Sequence, residues 1–149
     1  MIDRIRIIKS ERLLVAECRG RPVLRFRAAL GKCPAGRKER EGDGRTPEGE
    51  YRVCLKKAQG KYGPSLGLDY PSPEDARLGG ADERLISLIE SARREGRRPP
   101  WGSFLGGEIY IHGGGSGSDW TAGCIALDDA DAARLFDETP LLCPVEIVP

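Results

Sequence analysis

The sequence predicts a mainly β domain with a few helices. Three observations carry this. The first thirty residues alternate apolar and polar positions in "IRIIKS", "LLVAECRG" and "PVLRFRAAL", with Ser and Gly between them. Short apolar runs of strand length recur later, in "EYRVCLKK", "GGEIYIHG", "CIAL" and "CPVEIVP". Only two or three segments carry the marks of a helix.

The period-two stretches at the start read as a meander of strands joined by hairpin turns. Residues 31–49, "GKCPAGRKEREGDGRTPEG", have no apolar periodicity and read as a long charged loop. The charges from Arg37 to Glu41 read as plain solvation. Residues 31–47 are expected to be mobile, because polar, glycine-rich chain offers few buried contacts. Pro47 and Gly49 in "TPEGEY" fix a turn that delivers the next strand at a set angle.

"LGLDYPSP" reads as a further strand stopped by prolines. "PEDARLG" reads as a short helix with Pro73 in its first turn. In "DERLISLIESARREG" the apolar residues Leu85, Ile86, Leu88, Ile89 and Ala92 form a helical stripe, capped by Asp82 and stopped at Gly96. The arginines of "RREGRRPPWG" suit a helix C-terminus. "GGEIYIHG" is a short buried strand with His112 at its C-terminal end. "CIAL" is another, and "DDADAARLF" opens a helix with Asp128 or Asp129 as its cap. "CPVEIVP" reads as a closing, edge-like strand.

The chain has 149 residues, 39% hydrophobic and 32% charged, which suits one domain, residues 1–149, with a real core. Its net charge of +1 favours no polyanionic partner, so nucleic acid is not expected. No apolar run approaches the ~20 residues of a membrane span. "MIDRIRIIKS" breaks any signal-peptide core with Asp3, Arg4 and Arg6. The expectation is therefore a cytoplasmic protein, unless an export signal lies outside this chain. Cys18, Cys33, Cys54, Cys124 and Cys143 form no C-x-x-C pair, and with a single histidine they suggest no zinc site. Cys18, Cys54 and Cys143 read as small core residues in strands.

The one histidine and a cysteine twelve residues later stand in "IYIHGGGSGSDWTAGCIAL". The glycine run lacks the Lys-Ser/Thr of a phosphate loop and does not open a helix. A cysteine nucleophile is only a few per cent thiolate at neutral pH and gains from a positioned base. A hairpin-like excursion can return Cys124 to the side of His112, within a few ångströms, at the floor of an open groove. The N–H groups of Gly123 and Cys124 could then hold a developing oxyanion, and the small Thr121 and Ala122 would let a substrate carbonyl approach. The Gly113 carbonyl would orient the imidazole. Trp120 either shapes the groove or fills the core. Residues 113–120 are expected to be mobile. The chemistry this supports is acyl transfer.

"IHG", the glycine-rich interval and "TAGCIAL" together resemble the active-site signature of L,D-transpeptidase catalytic domains of the YkuD type. "GDGRTPEGEY" is similar to the family's upstream turn, and the resemblance runs from about Ile5 to Val148. It implies a β-sandwich or mixed sheet, with Cys124 as nucleophile, His112 as base and the Gly113 carbonyl orienting it. Thr121 and Gly123 match the small residues lining the cysteine. Ala122 departs from the many members that carry a second histidine there, which places all proton transfer on His112.

The implied reaction releases D-alanine from peptidoglycan stem peptides through a thioester, with no metal or organic cofactor, on the periplasmic or cell-wall side of the envelope. Carbapenems inhibit the family. Its members serve cell-wall construction and cell shape, and similar members attach or release an envelope lipoprotein. The alternatives are therefore an L,D-amidase or peptidase that releases a lipoprotein or stem peptide, and a non-catalytic peptidoglycan-binding module. A sortase-like site using Arg134 fits worse, because its usual order needs a longer interval before the cysteine.

Overall fold

The computed structural model describes residues 1–149. Eight strands form one mixed sheet, β1 Arg4–Ile8, β2 Leu13–Cys18, β3 Arg21–Arg27, β4 Gly49–Gly60, β5 Gly63–Leu68, β6 Tyr110–His112, β7 Ile125–Ala126 and β8 Pro144–Val148. The helices are α1 Pro73–Leu78, α2 Glu83–Arg94 and α3 Asp129–Glu138. The sheet order is β3-β2-β1-β8-β4-β5-β6-β7. Pairings β1–β8 and β6–β7 are parallel and the rest antiparallel. The mainly β, mixed-sheet fold read from the sequence is the fold observed.

The sheet curls until its two edges meet. Just after β3, Ala29 bridges Ala126 of β7, and Gly31 bridges Thr121. This closure brings the end of the initial meander against the cysteine turn. Inside the curl lies an apolar core that includes Ile5, Ile7, Leu14, Val53, Leu66, Leu68, Ile111, Ile125, Val145 and Ile147, all nearly or fully buried. A smaller cluster of Ala76, Ile89 and Leu105 seats α1 and α2.

The closing strand is corrected. β8 is not an edge but lies between β1 and β4, pairing Ile5 with Val145 on one side and Tyr51 with Val145 on the other. Pro144 is no obstacle to a central place, because it is the first residue of the strand, where a missing N–H does no harm.

The three expected helices form, and Asp82 caps α2 as expected. Ser72 and Asp75 make a reciprocal capping box on α1, with Pro73 in its first turn. Asp82 accepts the Leu85 N–H at the start of α2. Asp128 precedes α3 but does not cap it with its side chain. Its carboxylate accepts instead from the N–H and hydroxyl of Ser116.

The long charged segment is bound down, against expectation. Lys38 is only 4% exposed and pairs with Asp43 at 2.9 Å. Arg37 reaches buried Asp75 at 2.6 Å, and buried Lys9 reaches Glu48 at 3.1 Å. The Asp43 carboxylate also accepts the N–H groups of Glu39, Arg40 and Arg45. Solvation therefore fits Glu39, Arg40 and Glu41, which are exposed, and fails for Arg37 and Lys38. Residues 113–120 are also tied down. Gly114 donates to Asp129, Gly115 to the Leu127 carbonyl, and Asp119 holds Arg12 with two oxygens.

Candidate active site

His112 ends β6, and Cys124 immediately precedes β7, its parallel neighbour. The register, His112 opposite Ala126, sets Cys124 beside Tyr110, two residues back from His112 and on the same face of the strand pair. Both line a depression of about 510 Å³ walled by Tyr62, Trp120, Thr121 and Ala122 and edged by Lys32. Both also line a second one, of about 270 Å³, beside Lys57, Tyr110 and Glu108. A third, of about 210 Å³, reaches Cys124 from Lys38 and Gly123.

The imidazole is only 4% exposed. Its Nδ1 lies 2.5 Å from the Gly113 carbonyl. A carbonyl only accepts, so Nδ1 carries the proton and Nε2 of the neutral ring is a free acceptor. The Tyr62 ring stacks on the imidazole at 4.7 Å, and Trp120 meets both rings, 5.0 Å from Tyr62 and 5.8 Å from His112. A Cβ on Gly113 would meet Asp129 Oδ1 at 2.6 Å, so this close approach needs glycine.

The thiol does not hydrogen-bond to His112. It donates to the Glu108 carbonyl at 3.4 Å, while the Tyr110 N–H donates to the sulfur at 3.4 Å. Glu108 holds its carbonyl there from a left-handed conformation, φ +55°, uncommon for a residue with a side chain. Burial pushes the Cys124 thiol up, opposed by the Tyr110 N–H and the Lys38 charge. Burial likewise lowers His112, opposed by its bond to Gly113. The resting pair is thus a neutral thiol beside a neutral imidazole, not a preformed ion pair.

The cysteine turn is tight. Thr121 Oγ1 donates to the Cys124 carbonyl at 2.7 Å and accepts the Gly123 N–H at 3.1 Å. The Gly123 N–H, expected as an oxyanion donor, is therefore committed, whereas the Cys124 N–H has no protein acceptor. Gly123 sits at φ +147°, and a Cβ there would lie 2.8 Å from the Arg45 carbonyl.

Trp120 is half-buried in the wall of the cleft, its indole N–H given to the Gly115 carbonyl. Arg134 lies on α3, exposed and paired with Glu138 at 3.1 Å, outside the depressions around Cys124. Tyr62, Tyr110, Glu108 and Lys38 were not singled out from sequence. Tyr62 carried one signal, an aromatic residue in "GKYG", the two-residue turn between β4 and β5.

No curated protein sequence matches the chain significantly. Solved structures do. Bd1075 of Bdellovibrio bacteriovorus superposes with a TM-score of 0.65 at 21% identity, over 97% of this chain and 47% of that one. An L,D-transpeptidase from Xylanimonas cellulosilytica gives 0.57 at 17%, over 97% and 59%. L,D-transpeptidase 3 of Mycobacterium tuberculosis, solved with a faropenem-derived adduct, gives 0.58 at 12%, over 97% and 59%. The chain thus spans about half to three-fifths of the structures it resembles. At these identities they show the fold. The family is shown by its own sequence model, described as L,D-transpeptidase catalytic domain, which matches residues 2–147. By that match over nearly its whole length, the chain belongs to the YkuD family of L,D-transpeptidase catalytic domains.

Proposed function

We propose that this domain transfers acyl groups of peptidoglycan stem peptides through a thioester on Cys124. The observation that carries the reading is the fixed tautomer of the only histidine, which leaves Nε2 a free base in the depressions that hold the one cysteine of the family signature. Family membership and the transpeptidase relatives support the substrate class.

The thiol hydrogen swings from the Glu108 carbonyl to His112 Nε2 as Sγ attacks the carbonyl of the diamino acid before the terminal D-alanine. The bond from sulfur to carbon forms, and the carbonyl oxygen takes the negative charge beside the free Cys124 N–H. Collapse breaks the C–N bond. D-alanine leaves with the proton that His112 accepted. The amine of a second stem then attacks the thioester, passes its proton to His112 and releases the thiol. Tyr62, stacked on the imidazole, and the Gly113 carbonyl hold the base in place. Trp120, Thr121 and Ala122 line the way to the thioester.

Water or a lipoprotein lysine as acceptor would make the domain a peptidase or a lipoprotein ligase, acting at the same acyl-enzyme. No observation favours either over a stem amine. The proposed site of action follows from the substrate, on the wall side of the envelope. No helix is long and apolar enough to cross a membrane. The test is incubation with a tetrapeptide stem and a labelled amine. Release of D-alanine with labelled crosslink supports transpeptidation, D-alanine without crosslink points to the peptidase, and binding without release would leave a binding module.

A further inference from the structure

We infer that Lys38 is a positioning residue for the nucleophile, its buried ammonium favouring negative charge on Cys124 from behind the Gly123–Cys124 turn. The inference rests on Cys124 being the nucleophile and adds a residue outside the family signature.

Lys38 comes from the loop between β3 and β4, not from either strand that carries His112 or Cys124. It is 4% exposed, and it shares one depression with Gly123 and Cys124. A Cβ built on Gly123 would lie 3.7 Å from Lys38 Nζ, so the ammonium sits against the turn. Asp43 Oδ1 is its one acceptor, at 2.9 Å. Two of its three donors are unspent. Asp43 is itself anchored by three backbone N–H groups, so the charge is held at a fixed point before any substrate binds.

A buried ion pair contributes little net stability, because desolvation offsets the attraction. Placed against a nucleophile it does something a hydrophobic pair could not. A fixed charge in a water-poor site acts on a developing anion without reorganising. The thiol is pushed up by burial, and the Tyr110 N–H and Lys38 are the two influences that pull it back. Other charges reach the sulfur from each side. Glu108 and Glu41 line the same depression as Lys38; both are exposed to water, and the Glu108 charge adds to the upward push on the thiol. Lys57 and Lys61 edge the neighbouring depression, and Lys32 the largest. All three are exposed, and screening weakens them relative to a buried cation. His112 and Tyr62 face the thiol from β6 and the β4–β5 turn.

The test is the pH dependence of Cys124 alkylation by iodoacetamide, read by mass in a Cys33→Ser background, since Cys33 is exposed. Lys38→Met should move the alkylation midpoint up by about one pH unit and slow acylation by imipenem about tenfold at neutral pH. Lys38→Arg should keep the midpoint of the parent. Lys38→Met leaves Asp43 buried without its cation and can fail to fold, so Lys38→Met/Asp43→Asn removes both charges together. A folded double variant with an unmoved midpoint overturns the inference. Its failure is separable from that of acyl transfer. Stem turnover that survives Cys124→Ala would end the acyl-transfer reading. An unmoved midpoint with Cys124-dependent turnover would end only the role of Lys38.

Discussion

In the proposed mechanism, proton transfer falls to one side chain whose environment is set by its neighbours. His112 has no carboxylate partner; a backbone carbonyl fixes its tautomer, and burial lowers its pKa. A base must be neutral to accept the thiol proton, so acylation should rise with pH along a limb lying below 6.5 and level off through neutrality. Tyr62→Ala would uncover the imidazole. Burial is the main cause of the lowered pKa, so removing it should shift that limb upward, toward 6.5, in the pH profile of acylation. Gly123→Ala is expected to damage the turn, since its Cβ would press on the Arg45 carbonyl from a backbone conformation that disfavours side chains. A loss of ~1–3 kcal/mol in denaturant melts, with slower acylation, would be the outcome. That His112 and Cys124 line one depression, with the Gly113 carbonyl on the imidazole, was legible in the sequence because a lone histidine and a cysteine flank a glycine-rich interval. Tyr62 and Lys38 were not, because nothing in a turn or a charge run says which side chain will fold back over a site.

Strands and caps were legible, whereas the order of strands was not. Period-two patterning marked β1 to β3, and Pro73 and Asp82 marked helix starts, because these signals are local. The central place of β8 depends on which strands it meets, which no local pattern encodes. The charged loop was misread for the same reason. Its residues look solvated until the closing of the sheet buries Lys38 against the cysteine turn. Asp119 illustrates how an element is tied to the site. It takes three bonds from two nitrogens of Arg12, beside β2, and the Leu30 N–H after β3. Asp119→Ala should cost ~1–3 kcal/mol in denaturant melts. It should also slow acylation, because the segment leading to Cys124 loses its anchor.

Acid should weaken the whole molecule through its paired carboxylates. Burial would raise Asp43, but Lys38 and the backbone N–H groups outweigh it and hold it at about 2. The unfolded chain then binds more protons than the folded one between that value and the ordinary 3.8. The stabilisation is therefore present above about pH 4 and lost as the pH falls toward 2. A melting temperature that falls over that range in the parent, and less steeply in Lys38→Met/Asp43→Asn, is the expected result. The five cysteines are free thiols, and their surroundings separate them. Burial pushes Cys54 and Cys143 to about 11, while Cys124 opens onto three depressions. The most direct measurement is intact-mass and peptide analysis after imipenem, whose strained carbonyl can acylate such a thiol. A single adduct on Cys124 is expected, absent from Cys124→Ala, with His112→Ala slowing its formation by ~10²–10⁴-fold. An adduct on Cys18, Cys33, Cys54 or Cys143 instead, or an unchanged rate in His112→Ala, would contradict it.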